Sequence, residues 1–329
     1  MTVRLRIATF NLENLDEMPG QKPTLQERIE LMRPQLMRLD ADVLCLQEIH
    51  GQEAPGEPRS LLALKKLLED TPYGDYHLVS TTVQNGGEVL NERNLVILSR
   101  YEVLESRQLF HEFVPALSYR KATAVPREEV EEVSWERPIL HARIAPSDDT
   151  VVHVVNVHLK SKLPTDVSGQ KLDAFTWKTA SGWAEGSFLS SMKRVGQALE
   201  ARMLVDGFFD EDANALVAVC GDFNADTDDV PVQAIRGDVE DTANAALARR
   251  VLVSCERTIP EPARYSYLHL GRGQMIDHLL VSRGLLRFYR GSEIHNELLH
   301  DESAAFAVDV KYPESDHAPV VAHFDLPPD

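Results

Sequence analysis

The sequence predicts an α/β chain built as two packed β-sheets with helices outside. Three observations lead there. Apolar runs of strand length recur along all 329 residues. Amphipathic helical stripes are too few for strict β–α alternation. Several strands end in clusters of Asp, Glu, Asn and His, where a soluble core strand has no use for them.

Residues 3–10, VRLRIATF, alternate Val3, Leu5 and Ile7 with polar residues and read as a strand. Thr24 and Glu27 form a capping box. It opens a helix whose stripe Leu25, Ile29, Met32, Leu36 and Leu39 steps by three and four, with a kink or break expected at Pro34. Residues 42–47, DVLCLQ, read as a buried strand, and Ser60 is expected to cap a second helix carrying Leu61, Leu64 and Leu68. Strands are expected at 76–83, 94–98, 138–144 and 151–159, and the acidic stretch 126–137 as a solvated loop or hairpin. Residues 162–186, with Pro164, Gly169, Gly182 and Gly186, read as a long loop. A helix then runs through Phe188, Met192, Val195, Leu199 and Met203. Strands follow at 215–220, 251–254, 265–269, 276–281 and 318–324. No repeat or linker-like shift divides the chain, so residues 1–329 are read as one domain.

Basic residues number 34 and acidic ones 52, for a net charge of −18, while hydrophobic residues make up 43%. This is a globular composition able to bury a core without staples. No apolar run approaches the roughly 20 residues of a membrane span, and MTVRLRIATF shows no signal peptide. Three cysteines close no disulfide framework and have no zinc spacing; Cys45 and Cys220 lie in apolar runs as buried thiols. A cytoplasmic protein with no stable membrane insertion is expected. The acidic balance argues against binding polyanions through bulk charge. It leaves room for a phosphate-containing substrate, because a divalent cation and a few local cations reverse the field inside a cleft.

Six strand ends carry the chemistry. Asn11 follows IATF, Glu48 follows VLCLQ, and Asn156 and His158 lie in VVNVHLKSK. Asp222 and Asn224 follow AVCG, Asp277 and His278 interrupt MIDHLLVS, and Asp316 and His317 precede APVVAHF. Each alone has a bland reading as a turn or a satisfied structural residue. Together they supply what phosphoester hydrolysis needs. Glu48 and Asp316 are hard ligands for a divalent cation, and Asn11 adds a neutral carbonyl. Asp222 or His317 suits the orientation or deprotonation of water. Asp277 could fix the tautomer of His317, His158 could protonate the departing oxygen, and Asn224 could bond a phosphoryl oxygen. Glu13 alternates to the other face of an ideal strand and is a weak ligand candidate. His278 would point away from Asp277 and reads as structural.

The pieces ATFNLENL, ADVLCLQEI, RNLVILSR, VVNVHLKSK, GDFNAD, MIDHLLVS and SDHAPVV, in that order over nearly the whole chain, resemble the endonuclease/exonuclease/phosphatase superfamily of metal-dependent phosphoesterases, in its deoxyribonuclease I-like, bacterial nuclease-like branch. The resemblance implies a four-layer sandwich of two mixed sheets with helices on both outer sides. It implies a Mg²⁺ or Mn²⁺ site at Glu48 with Asn11 and Asp316. It gives Asp222 and Asn224 the nucleophilic water and the phosphate. His317, paired with Asp277, would contact the scissile phosphate as base or stabiliser. His158 would be the second catalytic histidine, where abasic-site enzymes of the family carry tyrosine. Arg93, Asn94 and Lys160 could touch substrate phosphates. The expected activity is phosphodiester hydrolysis, most simply of nucleic acid. The alternative substrate is a small phosphorylated metabolite or a lipid headgroup. A non-catalytic binding protein would lack one of Glu48, Asp222, Asn224, Asp316 or His317, and all are present. Trp177 and Trp183, in the 162–186 segment, read as packing beneath it rather than stacking on a base.

Overall fold

The N-terminal strand, Val3–Leu15, is apolar on both faces and demands a layer on each side. In the computed structural model, which describes residues 2–84, 86–308 and 310–328, Leu5 and Ile7 face a second sheet while Phe10 and Leu12 face a helical layer. This strand lies inside a six-stranded sheet ordered Tyr289–Ile294, Val320–Leu326, Val3–Leu15, Val43–Ile49, Asn94–Ser99, His77–Ser80. The second six-stranded sheet runs Val253–Ser254, Asp277–Val281, Leu216–Asp222, Thr150–His158, Ile139–Ser147, Glu102–Leu109. Both are mixed, as expected.

Each sheet has one central parallel pair: Val3–Leu15 with Val43–Ile49, and Thr150–His158 with Leu216–Asp222. Parallel partners end at the same edge. Asn11 therefore ends level with Gln47, beside Glu48, and Asp222 pairs directly with His158. The antiparallel neighbour Asp277–Val281 begins there too, with Asp277 opposite Asp222. Gly221 permits this approach: its φ is +138°, and a Cβ would stand 1.9 Å from the Val157 carbonyl oxygen.

Between the sheets, Val43, Cys45, Leu95 and Ile97 pack on Ala142, Val154, Cys220 and Leu279. Asn156, one of the polar strand residues, lies in this layer rather than at the cleft. Its Nδ2 donates to the carbonyls of Leu46 and Val96, both at 3.0 Å, and its Oδ1 accepts from Gln47 at 2.7 Å. All three cysteines are buried and free.

On one outer side lies helix Leu25–Leu39, with both capping-box bonds formed. It runs on through Pro34 without the break that was one of the two expected outcomes. Pro34 and Glu30, whose carbonyl loses its helical partner, are both exposed, so the lost bond falls on the solvent side of the helix. The second helix, Leu62–Leu68, has no side-chain cap from Ser60. Ser60 pairs its backbone with Gln52, and Gln52 Oε1 accepts the Ala63 N–H at 3.0 Å instead. On the other side, helix Ala180–Glu211 packs Ala198, Ala201, Leu204, Val205 and Phe208 on the second sheet. Its first turns were expected as loop. Gly182 and Gly186 serve close packing there, not flexibility. Of the expected stripe, Phe188, Val195, Leu199 and Met203 face outward, because the small residues let the helix approach the sheet on its other side. Two edge strands, Glu102–Leu109 and Tyr289–Ile294, escaped the periodicity reading because they are largely polar and owe their form to pairing. Among the described residues no helix is long and apolar enough to cross a membrane.

Candidate active site

At the shared sheet edge the backbone leaves regular geometry. Glu13, Asn14, Glu48, Arg93 and Asn224 have φ values of 44°, 49°, 60°, 54° and 48°. Such left-handed conformations cost on the order of 1 kcal/mol or more each for non-glycine residues, and persist where the surroundings enforce them. Two buried arginines brace the backbone around this edge. Arg28 donates to the carbonyls of Leu12 at 2.6 Å and Glu13 at 3.0 Å. Arg137 donates to those of His158 at 3.1 Å and Leu159 at 3.0 Å.

The left-handed turn at Glu13 corrects its assignment to the far face. It breaks strand alternation and brings the Glu13 side chain into the cleft, where Oε2 accepts the Asp316 N–H at 3.1 Å. Burial and the nearby Asp316 push the Glu13 carboxyl up to about 8, and burial raises that of Asp316. Glu48 also lines the cleft and accepts the Asn14 N–H at 3.0 Å. Asp316 Oδ1 is buried without a partner. Three crowded carboxylates with an orphaned oxygen fit a hard divalent cation, which would remove both the repulsion and the unsatisfied atom.

Asn11 is not among the residues that line the cleft. It is 1% exposed, its Nδ2 donates to Asp222 Oδ2 at 3.1 Å, and its Oδ1 accepts the Glu13 N–H at 2.9 Å. Its position orients Asp222 and the Glu13 turn, and Glu13 replaces it at the cleft.

The second sheet supplies the other half. Asp222 is buried against Asn11, Asn224 and His158, with His158 Nε2 at 3.3 Å. Burial pushes its carboxyl up to about 7, partly offset by His317. His158 Nε2 also lies 3.5 Å from Glu48 Oε1; burial and then Arg137 hold this imidazole well below its ordinary value, so it is neutral. His317 Nδ1 bonds Asp277 Oδ2 at 2.8 Å. Burial opposes charge on His317, but Asp277, Asp316 and Asp222 outweigh it and hold the ring as imidazolium. Ligand atoms of Asp222, Asp277 and His317 fall within 4.8 Å of one another. A cation there would compete with that proton.

Arg93 and Lys160 line the cleft with these groups. Asn94 does not reach it. It is fully buried, donating to the carbonyls of Ile49 at 2.9 Å and Leu90 at 2.8 Å and accepting from Leu90 N–H and Thr81, so no atom is left for a phosphate. His278 is buried the other way, between Glu256 and the Ala225 carbonyl. Trp177 packs beneath the segment as expected, whereas Trp183 lines the cleft. Sequence reasoning missed Arg28 and Tyr267, whose ring leans on His317 at 5.4 Å. Arg28 had a signal: a charge inside the apolar stripe of its helix.

Two mixed sheets stacked between helices, with carboxylates and a paired histidine gathered at one edge, define a hydrolytic phosphoesterase of the deoxyribonuclease I-like fold. Residues 8–317 match the sequence pattern of the Endonuclease/Exonuclease/phosphatase family, and the chain belongs to that family. Similar solved structures include humanized TDP2 from D. rerio (14% identity, TM-score 0.57, 98% of this chain and 100% of that one). The 3′ phosphatase NExo from Neisseria, solved with a product DNA hairpin, is also similar (19%, TM-score 0.53, 98% and 99%). So is an AP endonuclease from Archaeoglobus fulgidus (17%, TM-score 0.52, 98% and 100%). No curated protein matches the chain in sequence.

Proposed function

We propose that residues 1–329 form one catalytic domain of a divalent-metal-dependent phosphodiesterase, a nuclease, working in a reducing cytoplasm suited to its buried free thiols. The observation that carries the reading is the convergence of Glu13, Glu48 and Asp316 with Asp222 and the Asp277–His317 pair around one cleft. Glu48, Asp316 and Glu13 would hold Mg²⁺ or Mn²⁺, which when bound neutralises phosphoryl charge. Asp222, held by Asn11 and Asn224, accepts a proton from the attacking water. His317, kept charged by Asp277, bonds a phosphoryl oxygen; an imidazolium cannot serve as the base, which supports stabiliser over base. His158, neutral and within reach of Glu48 and Asp222, orients both; a neutral imidazole is too weak an acid for the donor role expected of it, so the leaving oxygen takes its proton from solvent. Arg93 and Lys160 hold neighbouring phosphates, and Asn224 acts without adding negative charge.

The test is cleavage of single- and double-stranded DNA, RNA, bis-p-nitrophenyl phosphate and p-nitrophenyl phosphate with Mg²⁺ or Mn²⁺, with and without EDTA. Diester cleavage abolished by EDTA and by Asp222→Ala is expected. Activity confined to the monoester, or surviving in Asp222→Ala, would overturn the reading.

A further inference from the structure

One stretch of the cleft wall is apolar. Trp183 is 50% exposed and lines the cleft with Leu163 and Pro164, in the same cavity of about 680 Å³ as Lys160, Asn224 and His317. It sits in the first turn of helix Ala180–Glu211, where Thr179 Oγ1 accepts the Gly182 N–H at 2.9 Å. That turn is clamped. A Cβ at Gly182 would stand 2.6 Å from Gln170 Oε1, and one at Gly186 would stand 2.5 Å from the Thr165 carbonyl oxygen. Ser187, one turn further on, lines the cleft as well, so this helix face is aimed inward. A rigidly held indole with half its surface in water forgoes burial that Trp177 obtains nearby against Val167 and Leu189.

Another stretch of the wall is made by the hairpin Tyr267–His269 and Arg272–Gln274, with Glu302 at the start of helix Glu302–Ala307. Phe175 and Phe306 join the segments that carry the two walls, their rings edge to face with centroids 5.4 Å apart. Cations are sparse. Arg28 and Arg137 are spent on carbonyls, and Lys162 is paired with Asp229 at 2.9 Å, which leaves, among the described residues, Arg93, Lys160 and the His317 imidazolium at the scissile position. With few phosphate contacts beyond the scissile one on a chain of charge −18, further binding energy has to come from the bases, and a flat aromatic face supplies it.

We infer that Trp183 determines substrate specificity by stacking a base beside the scissile phosphate, and that the preferred substrate is single-stranded nucleic acid threaded between the bridged walls. The inference rests on the phosphodiesterase reading above. The test compares kcat/KM for a short single-stranded oligonucleotide, its duplex, and the same backbone carrying abasic positions, in wild type, Trp183→Ala and Trp183→Tyr. Expected are a preference for the single strand over the duplex and a preference for base-bearing over abasic strand. Trp183→Ala should cut the latter ratio roughly tenfold or more, and Trp183→Tyr should keep most of it. An unchanged ratio in Trp183→Ala, or a duplex cleaved as well as the single strand, overturns the inference alone. Wild-type protein that cleaves none of the three overturns the phosphodiesterase reading and this inference with it.

Discussion

Glu13 Oε2 accepts the backbone N–H of Asp316 at 3.1 Å, tying the end of the first strand to the turn before the last. Residues 303 positions apart in sequence thus share one wall of the cleft. The bond turns on the left-handed backbone at Glu13, which Arg28 holds from below. Cleft geometry therefore depends on a helix that contributes no cleft residue of its own.

Replacing Arg28 by Met should destabilise the protein by about 3 kcal/mol or more, because the carbonyls of Leu12 and Glu13 lose a buried charged donor. Urea unfolding measures this. The variant should also lose activity out of proportion to its folded fraction. A loss under about 1 kcal/mol would refute the bracing role.

Glu13→Gln and Glu48→Gln should each weaken Mn²⁺ binding by roughly tenfold or more, measured by calorimetry, since each removes a charged oxygen ligand. His317→Ala should leave Mn²⁺ affinity much closer to that of the parent while removing activity. Equal affinity in Glu13→Gln and parent would return the ligand role to Asn11.

Asp277→Asn should lower kcat by on the order of 10²-fold with a smaller change in KM, because His317 loses the carboxylate that orients and charges it. The two parameters separate a positioning role from a binding one.

Stability should fall on acidification through a pair remote from the cleft. His141 Nε2 lies 3.2 Å from His153 Nδ1, under Phe208. Burial and then His153 push His141 down to about 3, and burial lowers His153. The unfolded chain takes up these protons near pH 6.5 while the folded chain resists. This stability is thus complete above about pH 6.5 and is lost as pH falls toward 3, at up to about 1.4 kcal/mol per pH unit for His141. Urea unfolding at pH 7.5, 6 and 5 should show the decline, with a shallower slope in His141→Gln.

Much of the fold was legible because core strands write their burial into local sequence. DVLCLQ and ALVAVC are apolar whichever neighbour they meet, and the Thr24–Glu27 box is a local event. The edge strand Glu102–Leu109 was not legible, since its pairing with Ile139–Ser147 comes from backbone bonds rather than its own side chains. Ser60 misled for a related reason: a distant Gln52 supplied the cap. At the site, Glu48, Asp222, Asp277, Asp316 and His317 announced themselves as polar residues at the ends of apolar runs. Asn94 looked the same in sequence but is consumed by Ile49 and Leu90.

The sequence by itself determined the core strands, the layered class and the residue types gathered at the strand ends, because hydrophobic period and composition are local properties. Only the tertiary structure decided which of those polar groups share a cleft. It turned Glu13 inward and Asn11 aside, spent Arg28 and Arg137 on backbone carbonyls, and left Trp183 lining the cleft. Those outcomes depend on backbone conformations and hydrogen-bond partners supplied from far along the chain, and a one-dimensional pattern does not contain them.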